Sequence, residues 1–270
     1  MKFQYLGTAA AEGWPALFCN CDNCEKARKA GGKNIRTRSQ ALIDDTLCID
    51  IPPDTYAHIL QNNLEAYKWT GLIVTHTHSD HFHSSDLTNW HPPFGLSGSF
   101  LQVYGNEGVV ETVTRLLDGR DPERKRMNVT LVQHFVPFYH GKYEITPLPA
   151  NHDKNQNCHI YIIEDGQSRV LYGNDTGYFP DSVWPFIEGM HFDLVSLDCT
   201  HVLDHNRHNH MSLDVCNEVK ERMLASGCDE KTKFIVTHFS HNGIAIHDEL
   251  LPHAEALGFD VAYDGMIINL

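Results

Sequence analysis

Thr75-His76-Thr77-His78-Ser79-Asp80-His81 is the stretch on which the reading of this chain turns. It follows the apolar run Gly71-Leu72-Ile73-Val74 and packs three imidazoles and a carboxylate into the six residues from His76 to His81. A strand that ends in such a cluster brings ligands for two metal ions to one edge of a sheet. Neutral imidazole and carboxylate suit zinc, manganese or iron, and the chemistry they support is metal-assisted hydrolysis.

Four downstream segments offer further ligands. They are Pro149-Ala150-Asn151-His152-Asp153 after an apolar run, Leu171-Tyr172-Gly173-Asn174-Asp175, Asn209-His210-Met211-Ser212, and Ile235-Val236-Thr237-His238-Phe239-Ser240-His241. Read singly, a histidine at a strand end is a hydrogen-bonded loop residue and Asp175 a turn residue. Three of these segments follow strand-like runs and Asn209–Ser212 opens a helix-like one; their recurrence in order is what gives the set its weight. Asp198, closing Leu194-Val195-Ser196-Leu197, reads as a partner that orients a ligand imidazole. His201, His205 and His208 fall in a polar loop and are expected at the surface.

Composition narrows the function classes. The chain has 270 residues, 35 acidic and 21 basic, and a formal net charge of −14. That balance argues against a broad electrostatic grip on nucleic acid or anionic lipid. It leaves room for a small phosphate group, because two divalent cations reverse the local field. No stretch approaches the roughly 18 apolar residues of a membrane span, and the first residues lack the apolar core of a signal peptide. A cytoplasmic location is expected, with the eight cysteines reduced.

Strand-like runs cover Phe3–Gly7, Gln40–Asp44, Leu47–Ile51, Gly71–Thr75, Leu101–Tyr104, Thr130–Phe135, Tyr143–Pro149, His159–Glu164, Arg169–Gly173, Leu194–Asp198, Phe234–Thr237 and Val261–Asp264. Helix-like runs cover Asp54–Gln61, Glu107–Leu117, Asp181–Glu188, Ser212–Ser226 with Ser212 as N-cap, and Ile244–Leu257. With no linker in sight, residues 1–270 are expected to form one domain. The pattern fits an α/β fold of two mixed sheets packed face to face with helices outside.

His-x-His-x-Asp-His behind an apolar strand resembles the signature of the metallo-β-lactamase superfamily. The resemblance implies its four-layer αββα sandwich. It also implies that His76, His78 and His152 hold one ion, that Asp80, His81 and His238 hold the second, and that Asp175 bridges them. Ions about 3.5–4 Å apart lower the pKa of a shared water and make a hydroxide nucleophile available. Asp80 and His210 are then the catalytic residues, His210 contacting substrate beside the leaving oxygen.

Cys19-Asn20-Cys21-Asp22-Asn23-Cys24 points to another metal. Three thiolates this close bind a tetrahedral zinc if a fourth ligand arrives from elsewhere, and His241 is the natural candidate. Such a closed site would be structural, stapling the N-terminal loop to the active-site wall. This loop, Arg36-Thr37-Arg38-Ser39-Gln40-Ala41 and the ending Ala262-Tyr263-Asp264-Gly265-Met266 together resemble one branch, the cyclic phosphodiesterases of the phosphonate-degrading carbon–phosphorus lyase pathway (PhnP-like). That branch opens a phosphoribosyl 1,2-cyclic phosphate. The cysteine loop also resembles a family of pyrroloquinoline quinone biosynthesis, whose members usually lack the full active-site histidine set.

The branch pattern is not followed throughout. His210 opens His-Met-Ser here, whereas the branch has His-Asn-Asp, so the role of the histidine carries over and the substrate does not. The resulting expectation is hydrolysis of a small, cyclic phosphodiester, with Arg36 and Arg38 within reach of the phosphate. Lactone or ester hydrolysis and a non-catalytic metal-binding role are the alternatives. A homodimer is what the resemblance implies, and an RNA-binding arm is not expected.

Overall fold

Alternation along the apolar strands sorts their side chains into three buried layers, and these layers set the architecture. The computed structural model describes residues 1–96, 98–121 and 125–270. In the first sheet, β1 (Lys2–Gly7), β2 (Gln40–Ile43), β3 (Leu47–Ile49), β4 (Gly71–Ile73), β5 (Leu101–Gly105) and β6 (Met127–Leu131) lie side by side in chain order. The second contains β7 (Phe138–His140), β8 (Tyr143–Pro149), β9 (His159–Glu164), β10 (Arg169–Gly173), β11 (Leu194–Asp198), β12 (Lys233–Thr237) and β13 (Asp260–Val261), again in order. The last strand, β14 (Ile267–Asn269), returns to the first sheet beside β1.

Phe3, Tyr5, Leu47, Ile49, Ile73, Tyr161, Ile163, Val170, Tyr172 and Ile235 fill the space between the sheets. Their neighbours at odd offsets point outward. Leu42, Cys48, Leu72 and Val103 meet one helical layer, and Ile162, Leu171, Val195 and Val236 meet the other. The first layer includes α3 (Glu107–Leu117), which buries Val109, Val113 and Leu117 at a four-residue spacing and is capped by Asn106 Oδ1 accepting from Val109 N at 3.1 Å. The second holds α4 (Trp184–Ile187), α5 (Leu213–Leu224) and α6 (His247–Ala256), each contributing residues to the same buried cluster. Two short helices, α1 (Asp22–Ala30) and α2 (Thr55–Gln61), complete the α/β four-layer sandwich expected from the sequence. Among the described residues no helix is long and apolar enough to cross a membrane.

Strand direction places the site. β3, β4 and β5 run parallel, as do β10, β11 and β12. β8 shares their sense because both it and β10 are antiparallel to β9. The segments after β3, β4, β8, β10, β11 and β12 therefore emerge where histidines and aspartates cluster.

The differences from the sequence reading lie at sheet edges and in loops. The strand expected over Thr130–Phe135 is β6, ending at Leu131, and Phe135 has a left-handed φ of 65°. The strand expected over Val261–Asp264 leaves the sheet after Val261, because Asp264 turns to accept from Thr8 Oγ1 and Thr37 N. Ser212 occupies the N-cap position of α5 without capping it, its hydroxyl bonding Asp214 and Asn206 instead.

The layer assignment has a simple test. Ile235→Ala, which opens a void between the sheets, should cost about 2–5 kcal/mol in denaturant unfolding. Ile267→Ala, on a half-exposed edge residue, should cost under about 1 kcal/mol. Equal costs would contradict the assignment.

Candidate metal centre

The loop behind β4 carries His76, His78, Asp80 and His81; the loops behind β8, β10 and β12 deliver His152, Asp175 and His238. Nitrogens of His76, His78 and His152 lie within 4.8 Å of one another, and so do single ligand atoms of Asp80, His81, Asp175 and His238. The two groups adjoin. His76 Nε2 is 3.4 Å from Asp175 Oδ2, and the ring centroids of His76 and His81 are 4.5 Å apart. All seven residues expected from the sequence are thus brought together.

Their protonation follows from their outer partners. Asp50 Oδ2 only accepts, so His81 Nδ1 donates to it at 2.7 Å and His81 Nε2 turns a lone pair inward. Thr75 Oγ1 gives its proton to Asp50, so it accepts from His76 Nδ1 at 3.0 Å. Thr200 Oγ1 gives its proton to the His238 carbonyl and accepts from His238 Nδ1 at 2.8 Å. His152 Nδ1 donates to the Asn209 carbonyl at 3.2 Å. Inner lone pairs therefore face one another and the carboxylates. His81 Nε2 is 2.5 Å from Asp175 Oδ2, and His238 Nε2 is 3.1 Å from Asp175 Oδ1.

Facing lone pairs repel, and burial magnifies the cost. Among the described residues His76 Nε2, His81 Nε2, His238 Nε2 and Asp175 Oδ1 are buried with no hydrogen-bond partner in good geometry. Burial opposes protonation of His81, but Asp175, Asp80 and Asp50 outweigh it and raise its pKa well above the usual range. A proton there relieves one contact. Burial and the neighbouring His81 hold His76 neutral. Imidazole and carboxylate donors with converging orphan lone pairs fit a pair of divalent cations.

Beside this cage stands His210. Its Nδ1 donates to Asp198 Oδ2 at 2.8 Å and lies 3.4 Å from Asp175 Oδ1. Asp198 is fully buried at the end of β11; its other oxygen accepts from Thr200 N and Met211 N. Burial alone would lower the pKa of His210, but Asp198, helped by Asp175, pushes it up to about 9. The Asp expected to orient a ligand imidazole thus engages His210 most closely, with His238 Nδ1 farther off at 3.5 Å.

Backbone strain concentrates here. Asp50, Asp175, Asn209 and His238 have φ of 64°, 48°, 48° and 62°, each costing about 1–3 kcal/mol for a residue with a side chain.

The cysteine loop forms a separate cluster. One ligand atom each of Cys19, Cys21, Cys24 and His241 lies within 4.8 Å of the others, with Cys21 Sγ 3.3 Å from His241 Nδ1. The His241 contact, with further hydrogen bonds, draws the Cys21 thiol down to about 6, while burial pushes Cys24 up to about 11. Cys21 is also the N-cap of α1, a helix the sequence reading left as loop.

Other expectations are corrected. Arg36 does not reach toward a phosphate: it is buried, bonding Thr8, the Ala262 carbonyl and His247 while stacking on Phe239. Arg38 pairs with Asp54 at 3.0 Å. His159 lies outside the cage against His134, and burial pushes its pKa down to about 3. His205 and His208 are exposed as expected, but His201 is half-buried and shares a contact with Asn206. The sequence reading passed over Asp50, although Ile49-Asp50 carries the same mark, an apolar strand ending in Asp, that singled out Asp198.

Comparison with known proteins adds the family. The β-lactamase superfamily domain matches residues 48–239. Among solved structures, a new diphosphatase from the PhnP family superposes with a TM-score of 0.75 at 22% identity, covering 100% of this chain and 97% of the other. Zn(2+)-bound PqqB from Methylobacterium extorquens gives 0.78 at 17%, covering 100% of both. Human tRNase Z, short form, gives 0.68 at 15%, covering 100% and 99%. At such identities the likeness is one of fold. No curated protein sequence matches the chain.

In metal-stripped protein, His210 should stay protonated until about pH 9. Losing the carboxylate in Asp198→Asn should lower that midpoint by roughly one unit or more. NMR titration of the ring Cε1–H reads both; a wild-type midpoint near the ordinary value of about 6.5 would show that Asp198 does not hold the charge.

Proposed function

The chain belongs to the β-lactamase superfamily, and on that premise we propose that it is a phosphodiesterase that hydrolyses a small, cyclic phosphodiester at a two-ion centre. His76, His78 and His152 would hold one divalent ion, zinc or manganese, and Asp80, His81 and His238 the other, with Asp175 available to both. Bound there, such ions supply a nucleophile from water near neutral pH and offset charge developing on the phosphate. One observation carries the reading: the cage of orphan lone pairs stands beside His210, whose Nδ1 is held at 2.8 Å by the buried carboxylate of Asp198.

The chain's own groups account for the proton. Because Nδ1 of His210 is committed to Asp198 at 2.8 Å, Nε2–H is the proton available to the departing ester oxygen. Asp198 favours the charged form of the ring and fixes its orientation, and Asp80, 3.2 Å from His81 Nε2, adds negative charge where the second ion would be held. A net charge of −14 disfavours a long polyanion and is compatible with a small phosphate ester drawn to the ions. That the PhnP-family neighbour is a diphosphatase supports chemistry at phosphorus. We further propose a structural zinc on Cys19, Cys21, Cys24 and His241, with residues 1–270 acting as one domain in the cytoplasm and as a homodimer.

Metal analysis and turnover test this together. Wild-type protein should carry about three ions per chain, Cys21→Ser losing one and Asp175→Ala losing ions from the other site. Bis-p-nitrophenyl phosphate should be hydrolysed, and His210→Ala should lower kcat about 10²–10⁴-fold with the ions retained. Activity confined to a lactone panel would replace the phosphodiester reading. Full metal content without turnover of either would make this a metal-binding protein and not an enzyme.

A further inference from the structure

Each imidazole of the cage has an inner nitrogen facing the other ligands and an outer one with a partner, and His78 is the exception in orientation. His76, His81, His152 and His238 all anchor Nδ1 outward. His78 instead turns Nδ1 inward, 3.2 Å from His152 Nε2, and points Nε2 outward, 3.3 Å from Asp153 Oδ2. Packing does not fix this ring: its side chain is 43% exposed, whereas His76 and His81 are fully buried. Something else must hold its rotation and its tautomer.

Asp153 is built for that. Its Oδ1 accepts from the backbone N and the side-chain Nδ2 of Asn155, both at 2.9 Å. Its Oδ2 accepts from Gln156 Nε2 at 3.0 Å, on the same oxygen that faces His78. Gln156 then reaches across: its Oε1 accepts from Thr77 N at 2.9 Å and Thr77 Oγ1 at 2.8 Å. One short loop therefore grips the His76-Thr77-His78 segment twice, at the backbone of Thr77 and at the ring of His78. A carboxylate accepting from the outer N–H of a ligand imidazole fixes the tautomer and raises the basicity of the inner nitrogen.

We propose that Asp153 is the positioning residue for the ion held by His76, His78 and His152, acting through His78, with Gln156 locking its carboxylate in place. Asp50 stands in the same relation to His81, so each ion would have a carboxylate behind one of its imidazoles. The proposal rests on the two-ion reading above, and concerns how firmly one ion is held.

Co(II) titration of the full-length protein against a competing chelator tests it, with wild type, Asp153→Ala, Asp153→Asn, Gln156→Ala and His78→Ala compared. The cobalt in the cysteine site is recognised by its thiolate charge-transfer band and set aside. Asp153→Ala should weaken one of the two remaining ions about 10–100-fold and shift its d–d spectrum, leaving the other unchanged. Asp153→Asn, which keeps an acceptor without the charge, should fall between, as should Gln156→Ala, and His78→Ala sets the upper limit. Wild-type affinity for both ions in Asp153→Ala overturns the proposal. So does a lower melting temperature of the metal-free variant with no change in ion affinity, the mark of a merely structural role. If Asp153→Ala does not fold by circular dichroism, Asp153→Asn decides on the same criterion. A wild type that takes no cobalt outside the cysteine site overturns the two-ion reading itself, and this is seen before any variant is compared.

Discussion

Asp175 is the pivot of the molecule. Its carboxylate is buried where two parallel systems of strands end, with His81, His238 and His76 within 2.5, 3.1 and 3.4 Å of its oxygens. The outer nitrogens of these rings are already satisfied, so His76 and His238 turn lone pairs to Asp175, and His81 does so once it gives up the extra proton that its carboxylate neighbours favour. Protein atoms alone leave that arrangement frustrated, and cations resolve it. Burial raises the affinity of Asp175 for a proton, but positive charge on the surrounding imidazoles and a hydrogen bond from His81 more than reverse this and lower its pKa well below the usual range. The cage is therefore prepared to bind positive charge before any arrives.

Holding such a cage open demands rigidity, and the sandwich supplies it. The ligands extend from strands whose bases are locked by apolar packing on both faces. Left-handed backbone at Asp50, Asp175 and His238 turns each side chain inward within two residues of leaving regular structure. Strain of a few kcal/mol is sustainable where the surrounding core overdetermines the backbone. The outer partners Thr75, Asp50 and Thr200 then fix each ring, so the chain approaches the site through successive shells, each restricting the one inside it.

The candidate cage was legible because its signals are local: an apolar run followed at once by histidine or aspartate. The same signal marks Asp198, and Asp50 after Ile49 as well; His210 follows a polar stretch and was legible only through its place before a helix and the family resemblance. What escaped lacks a local signature. The edge strands β7 and β14 are three residues each, too short to show alternation. α1 carries its buried residues, Cys24 and Ala27, under polar neighbours, so its pattern reads as loop. Arg36 was misjudged because a guanidinium is so seldom buried; its partners Thr8, Ala262 and His247 come from three distant segments. Tertiary satisfaction of a buried charge is invisible to spacing.

The two metal clusters are coupled by the chain that joins them. His238 and His241 belong to one turn behind β12, and between them Phe239 is bonded at its backbone to Thr8 and Ala10, and its ring is covered by Arg36. Ser240 anchors Glu12, which lies 3.8 Å from His241. A zinc on the three thiolates and His241 would fix the far end of this turn, and the strained φ of 62° at His238 would then be held from both sides. So held, the cysteine loop would support the metal centre without touching substrate, by denying His238 the relaxation that would swing its Nε2 away from Asp175.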